Sequence, residues 1–430
     1  MDIRGWLKDQ MVSADAYDAE LLLNAFLEEM ELGLNGESSS LAMIPAYVNI
    51  SKAIPAGKPV AVIDAGGTNL RICIATFDDQ GSVEISHFSK QPMPGRDHEI
   101  SVKEFFAVLT SALEPLKDEF EQIGFCFSYP VAILPSFDGR LLHWTKEIKI
   151  PDLVGTHIGE GLLEALNDCG VLGKKVVVLN DTVAALLAGR ARGDSFNASS
   201  YIGFILGTGT NSAYVEENEN IVKLEGYLSA GSQVINVESG GFGAFKRGPV
   251  DLLLDERSEN AGGHVFEKTI SGAYLGSITL CLLQELVNED LLSTGGAAAL
   301  AIMKDISIIE IDNLLADNGR DTGVLGTDVF TDADRDVMKT LFSAVVDRAA
   351  LFTAVNIAAA VVKCGAGKDP EKPVCINIDG STYYKTFQLA DKTQAHLKRI
   401  LGSRGLHYRC IDVEDAPVVG AAIAGLTTFG

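Results

Sequence analysis

The sequence predicts an α/β protein built from two similar lobes. Three observations carry that reading. A Gly-rich pattern occurs twice, once in each half of the chain. Short apolar runs that stop at polar, turn-forming residues alternate with segments of helical period. The 430 residues exceed the usual size of one hydrophobic core.

The elements follow in order. Residues 15–32 read as a helix, because Leu22, Phe26 and Met30 recur every four residues with Glu20, Glu28 and Glu29 between them. Gly33 and Gly36 end it. Residues 61–77 read as strand, turn, strand around Val62-Ile63-Asp64-Ala65-Gly66-Gly67-Thr68-Asn69. Residues 103–116 read as a helix with Phe106, Leu109 and Leu113 on one face. Residues 123–128 form a short strand that stops at Tyr129-Pro130. Residues 175–179 are almost continuously apolar, as in a buried parallel sheet. That run stops at Asn180-Asp181-Thr182, and 183–187 begin a helix. Ligands of open α/β sheets sit beyond the carboxyl ends of such strands, which places Asp181 where chemistry is expected.

Residues 191–200 are polar and small and read as a hinge. The second Gly-rich copy, Phe204-Ile205-Leu206-Gly207-Thr208-Gly209-Thr210-Asn211, follows and leads into the strand-like 212–215. Helices are expected near 266–285, 297–303 and 337–362. Residues 374–378 form another apolar strand, ending in Asp379-Gly380-Ser381. Residues 317–336, rich in Asp and Gly, read as solvated.

Composition narrows the function. Hydrophobic residues make up 47% of the chain, enough for two cores. No apolar run reaches the roughly 18–20 residues of a membrane span. The longest candidate, 349–362, is interrupted by Thr353 and Asn356 and reads as a buried helix. The start of the chain shows no basic-then-apolar signal, and a cytoplasmic location is expected. Seven scattered cysteines without a Cys-x-x-Cys pair argue for reduced thiols, and seven histidines show no ligand spacing. A net charge of −23 disfavours nucleic acid and anionic membranes as partners. An acidic enzyme can still bind a nucleotide through backbone amides, a few cations and Mg2+. Neither Gly-x-x-x-x-Gly-Lys-Ser/Thr nor Gly-x-Gly-x-x-Gly is present.

The two Gly-rich turns can approach a ligand closely and present N–H groups and Thr hydroxyls to phosphate oxygens. The first carries Asp64 where the second carries Leu206, so one turn offers a carboxylate to a metal. Asp181 can accept a hydroxyl proton as that oxygen attacks phosphorus. Its alternative role is helix capping. Ser128 ends a strand, and Trp144-Thr145-Lys146 follows in a loop. These hydroxyls and the ammonium suit a polyol, or else make up an ordinary turn and a solvated lysine. Asn236-Val237-Glu238 and Phe266-Glu267-Lys268 add two carboxylates of the kind that bind sugar hydroxyls. Glu267 reads equally as an exposed glutamate at a helix start.

Taken together, these residues resemble the hexokinase family: the eukaryotic-type hexokinases and glucokinases of the actin-like ATPase superfamily. Residues 26–30 and 43–48 are similar to its N-terminal signature, and 64–71 to its first phosphate motif. Residues 125–130 with 142–146 are similar to its sugar-binding signature. Asn180-Asp181-Thr182-Val183 resembles its catalytic motif and 207–211 its second phosphate motif. Residues 266–276 and Asp379-Gly380-Ser381 also match.

The resemblance implies two actin-like (ribonuclease H-like) lobes, each with a mixed sheet flanked by helices, around a deep cleft. Residues 51–198 would form the small lobe, with a helix at about 417–430 packing back on it. Residues 1–50 and 199–416 would form the large lobe. The implied activity is transfer of the γ-phosphoryl group of ATP to the 6-hydroxyl of glucose and other hexoses, with Mg2+, by a monomer or homodimer. Asp181 would be the base, Lys146 a further catalytic residue, and Arg71 would sit close to the transferred phosphate. Ser128, Thr145, Lys146, Asn180, Asn211, Asn236, Glu238 and Glu267 would hold the hexose. Asp64, Gly66, Gly67, Thr68, Asn69, Gly207 and Thr208 would line the phosphates, with Asp64 near the metal. Gly380 and Ser381 would lie on the adenosine side.

The chain departs from the family pattern in three places. Glu147-Ile148-Lys149-Ile150 replaces a Gly-Phe pair, Ser239-Gly240-Gly241 replaces Trp-Gly, and Asp415-Ala416-Pro417-Val418-Val419-Gly420 replaces Gly-Ser-Gly. The Cys/His zinc cluster of the small bacterial-type sugar kinases is missing. Other readings are a kinase for a different sugar on the same fold and a non-catalytic sugar sensor. A sensor tolerates loss of the base or of the metal carboxylate, and both Asp181 and Asp64 are present.

Overall fold

A computed structural model describes residues 2–48, 50–144, 148–224, 230–317 and 319–429. Its strands are β1 (Ile44–Pro45), β2 (Val60–Ala65), β3 (Asn69–Phe77), β4 (Val83–Pro92), β5 (Gln122–Phe127), β6 (Val131–Ile133), β7 (Gly139–Leu141), β8 (Lys175–Leu179), β9 (Ser200–Leu206), β10 (Thr210–Glu217), β11 (Ser232–Asn236), β12 (Val374–Asp379) and β13 (Tyr408–Ile411). One sheet has the order β4-β3-β2-β5-β8, and another the order β1-β11-β10-β9-β12-β13.

The duplication seen in the turns extends to the sheets. In the first, β2 pairs antiparallel with β3, β3 antiparallel with β4, and β5 and β8 join in parallel on the other side. In the second, β9, β10 and β11 form the antiparallel series, and β12 and β13 join in parallel. Each sheet is therefore a meander extended by two crossover strands. A helix follows the last parallel strand in each: Asp181–Gly193 after β8 and Ala416–Thr428 after β13.

These two helices exchange places. Helix Ala416–Thr428 packs on β2, β5 and β8 of the first sheet, while helix Asp181–Gly193 packs on β9, β10 and β12 of the second. They also pack on each other, with glycine at the points of closest approach. A Cβ on Gly420 would lie 1.9 Å from the Ala184 carbonyl oxygen, and one on Gly124 of β5 would lie 1.8 Å from that of Ala421. Alternation decides the faces of the first sheet. Val60, Val62, Cys126, Val177 and Leu179 point to the C-terminal helix. Ile63, Ile72, Phe125 and Phe127 point to the opposite side, covered by helices Val102–Leu113 and Ile158–Asp168.

Several expected boundaries shift. The first long helix runs Ala19–Asn35, capped by the Asp18 carboxylate on the N–H groups of Glu20 and Leu21, and ends at Gly36 with φ 76°. Residues 191–200 are not an open hinge. The helix continues to Gly193, a 3-10 turn covers Asp194–Phe196, and the Tyr201 hydroxyl donates to Asp194 at 2.5 Å. The stretch 266–285 is two helices, Glu267–Ile270 and Gly272–Leu286, broken at Ser271. The long apolar helix runs Asp332–Lys363 and is long and apolar enough to cross a membrane, contrary to the expectation, yet almost all of its apolar stretch is buried inside the protein. It begins inside the segment read as solvated. Asp334 there is 1% exposed, because its carboxylate closes a capping box with Thr331 and accepts from Ser293.

Candidate active site

The two Gly-rich turns and the end of β8 converge at the carboxyl ends of the parallel strands. In the first turn, the Gly66 N–H donates to the Asn69 carbonyl at 3.0 Å and the Thr68 carbonyl accepts from Met93 at 2.9 Å. The end of β5 is laced to it: Ser128 N–H donates to the Ala65 carbonyl at 3.1 Å, and the Tyr129 hydroxyl to that of Gly66 at 2.8 Å. Gly67 and Asn69 are half-buried, and Thr68 is exposed at the tip.

Asp64 lies just before this turn, 4% exposed, opposite Arg71 on β3 and Cys126 on β5. The Arg71 Nε is 3.5 Å from Oδ2 of Asp64, and its Nη1 is 3.1 Å from Oδ1 of Asp415. Burial pushes the Asp64 carboxyl up, Arg71 opposes it, and the charges of Asp181 and Asp379 add to the rise, leaving it at about 6. Asp379, at the end of β12, is raised by burial and then by Asp181 and Asp412, against a hydrogen bond from the Gly380 N–H.

At the end of β8 the capping question is resolved. Asn180 is the N-cap, its Oδ1 accepting from Thr182 N–H at 2.9 Å. Asp181 is the first helical residue and is half-buried. Its carboxylate has the helix N-terminus behind it, a favourable place for negative charge. Asp181 is within electrostatic reach of Asp64, Asp379 and Glu238.

The second turn brings four predicted sugar ligands together. Asn211 Nδ2 donates to Asn236 Oδ1 at 2.8 Å, and Asn236 Nδ2 to Glu238 Oε1 at 2.7 Å. Asn211 Oδ1 accepts from Ser212 N–H at 2.7 Å and from Ser239 N–H at 3.2 Å. Glu238 adopts φ 58°, an uncommon conformation for a residue with a side chain, at the exit of β11. Burial raises its carboxyl, the Asn236 hydrogen bond and His264 oppose the rise, and Asp181 and Glu267 add to it.

Glu267 is not a solvated helix residue. Its Oε2 accepts from Thr210 N–H at 3.0 Å. The reason is the break at Ser271. The N–H groups of Gly272 and Ala273 donate to the carbonyls of Gly207 and Thr208, at 2.9 and 3.2 Å, so the short helix Glu267–Ile270 is held over the turn. Gly209 makes room, since a Cβ there would lie 2.5 Å from Glu267 Oε2. The Thr382 hydroxyl also donates to the Gly207 carbonyl at 2.8 Å. Gly380 has φ 120° and packs on Leu206, and Ser381 is exposed at the start of helix Ser381–Lys385.

Thr145 and Lys146 lie outside the described residues. Trp144, just before them, stacks edge-on to Tyr129 at 4.8 Å and donates Nε1–H to the Ile150 carbonyl at 2.6 Å. Sequence reasoning missed Cys126, Asp415 and His264.

The site fits Mg2+ bound together with nucleotide phosphates. Asp64 is a carboxylate raised chiefly by burial and further by Asp181 and Asp379, a cost that a divalent cation relieves. Among the described residues no group of three or more His, Cys, Asp or Glu could hold a metal on its own. Mg2+ keeps several waters and takes one or two carboxylates plus phosphates.

Several known proteins are similar to nearly the whole chain. Residues 8–191 and 201–427 match two family models, each described as hexokinase. Hexokinase-2 of Schizosaccharomyces pombe is 30% identical over 450 residues, covering 97% of this chain and 96% of that protein. Glucokinase-1 of Kluyveromyces lactis is 32% identical over 457 residues, covering 94% of each. The solved hexokinase from Schistosoma mansoni complexed with glucose gives a TM-score of 0.77 at 26% identity, covering 95% of both chains. A ROK hexokinase from Thermus thermophilus, with TM-score 0.51 and 17% identity over 85% of this chain and 97% of that one, shares the fold alone.

Proposed function

The chain belongs to the hexokinase family, whose reaction is transfer of the γ-phosphoryl group of ATP to a hexose; from that premise we propose that glucose is among its substrates and that Asp181 is the catalytic base. The observation that carries the assignment is that the charge of Asp181 reaches carboxylates of both regions. Asp64 and Asp379 lie on the turn and strand ends that suit phosphates, and Glu238 lies in the amide-lined pocket that suits hydroxyls.

In this reading Asn211, Asn236, Glu238 and Glu267 hold the hexose by accepting from and donating to its hydroxyls, with Ser128, Asn180, Thr145 and Lys146 completing the pocket. The 6-hydroxyl gives its proton to the Asp181 carboxylate as its oxygen forms a bond to the γ-phosphorus. The bond from that phosphorus to the bridging oxygen breaks, and ADP leaves. Gly66, Gly67, Thr68, Asn69, Gly207 and Thr208 orient the phosphates, and Gly380 and Ser381 border the nucleoside. Asp64 would hold the cation, which supplies charge neutralisation on the phosphates. Arg71, held beside Asp64 and Asp415, adds positive charge. Closure of the cleft over the sugar excludes water and suppresses simple hydrolysis of ATP. The net charge of −23 supports a small-molecule enzyme without nucleic-acid partners.

The test is ADP formation from ATP and Mg2+ with a panel of hexoses, beside Asp181→Ala. Glucose-dependent turnover in the parent is expected, with kcat lowered by about 10²–10⁴ in the variant and sugar binding by calorimetry largely kept. Near-normal turnover in Asp181→Ala would remove Asp181 from the role of base.

A further inference from the structure

Beyond Glu238 the chain makes one 3-10 turn, Ser239–Gly241, in which the serine carries the only side chain. Three of the residues assigned to the hexose depend on this turn. Glu238 enters it with φ 58°. The Ser239 N–H donates to Asn211 Oδ1 at 3.2 Å. The Gly240 carbonyl accepts at 3.2 Å from the N–H of Phe266, the residue before Glu267. A Cβ on Gly240 would lie 3.2 Å from that of Glu267, so the turn and the short helix touch. Glycines leave such a turn many conformations, and a residue at positive φ persists only where its surroundings hold it. The tether comes from the core. Asn356, on helix Asp332–Lys363, donates Nδ2–H to Ser239 Oγ at 2.9 Å. Both residues are 0% exposed. The Asn356 Oδ1 is buried and has no hydrogen-bond partner among the described residues. A buried polar atom left unpaired destabilises a fold, so packing alone does not account for an asparagine there. Ser239 is also a departure from the family pattern, which has tryptophan at that place.

We propose that Asn356 is a positioning residue for the hexose pocket: its amide fixes Ser239, and through the turn Ser239–Gly241 it sets the Glu238 carboxylate and the Asn211 amide. Order runs outward from the core helix, from Asn356 to Ser239, Asn211, Asn236 and Glu238, each link a hydrogen bond of 2.7–3.2 Å. The proposal rests on the reading of Asn211 and Glu238 as sugar ligands given above.

The test is calorimetric binding of glucose and of MgADP, with melting temperatures, for the parent, Asn356→Leu, Ser239→Ala, the double variant and Glu238→Gln. Asn356→Leu keeps the branched shape and removes the donor. It should weaken glucose by roughly tenfold, within the hundredfold or so that a misplacement of about 1 Å can cost, and change MgADP by less than about twofold. Ser239→Ala should match it. The double variant should lose no more glucose affinity than either single change, since all three remove one bond. It should melt at or above the parent temperature, because both partners have become apolar. Should Asn356→Leu not fold by circular dichroism, Ser239→Ala carries the test with the same expectation. Unchanged glucose affinity, equal losses of glucose and MgADP, or additive losses in the double variant would each overturn the proposal. If the parent binds no glucose, or Glu238→Gln binds it as the parent does, the reading of the pocket itself fails, whatever the Asn356 variants show.

Discussion

The guanidinium of Arg71 joins carboxylates from opposite ends of the chain: Nε is 3.5 Å from Asp64 Oδ2, and Nη1 is 3.1 Å from Asp415 Oδ1. Asp415 is the N-cap residue of helix Ala416–Thr428, with φ 52°. In the duplicated architecture it stands at the start of the second copy's helix, much as Asp181 stands at the start of the first. The carboxylate of the second copy is held by an arginine.

That pair is partly exposed, and an exposed ion pair is worth only about 0.2–1 kcal/mol. Asp415→Ala is therefore expected to leave the melting temperature nearly unchanged. Arg71 would lose its anchor, and the KM for ATP should rise, by at most about fivefold for a coupling of that size. The KM for the hexose should not move. Steady-state kinetics with each substrate varied in turn checks this. A lowered melting temperature with an unchanged ATP KM would make the pair purely structural.

Gly209→Ala tests the placement of Glu267. The new methyl group would meet Oε2 at 2.5 Å, and the carboxylate must withdraw from the Thr210 N–H. Misplacing a binding group by about 1 Å can cost on the order of a hundredfold. The expected outcome is a hexose KM raised by at least about tenfold with the ATP KM little changed. Equal effects on both substrates would mean that the turn itself has been distorted.

Asp334 predicts a pH dependence of stability. Its carboxylate accepts from the backbone and hydroxyl of both Ser293 and Thr331, at 2.7–2.8 Å. These bonds overcome the opposing effect of burial and lower its ionisation from 3.8 to about 2. A depressed carboxyl stabilises the fold above its unfolded value and loses that contribution as pH falls through the folded one. The difference corresponds to about 2 kcal/mol at neutral pH. Denaturant unfolding of Asp334→Asn should show a loss of that order at pH 7, shrinking below pH 4. A pH-independent difference between parent and variant would contradict it.

The strands and their polar stops were legible because buried parallel strands are continuous apolar runs and their ends must turn. Asp181 was found for that reason, and Asp64 through the repeated Gly-rich turn. Glu267 reads from the sequence equally as a sugar carboxylate and as an exposed helix glutamate. Its local pattern was that of one continuous helix, and the break at Ser271 is caused by carbonyls of Gly207 and Thr208, some sixty residues away in sequence. Asp334 was misread because a polar, Gly-rich stretch says nothing of the long-range donor Ser293. The exchange of helices between sheets had no local signature beyond small residues at Gly124 and Gly420.

That exchange also bears on the order in which the protein can be built during synthesis. The face of the first sheet formed by Val60, Val62, Val177 and Leu179 is covered by residues made long after the sheet itself. A nascent chain carrying only the first sheet holds an open apolar face, the kind of surface that chaperones retain and that aggregates when released. Ribosome-bound chains stopped before Ala416 should accordingly stay sensitive to protease within β2, β5 and β8, and become resistant once the helix through Thr428 has emerged.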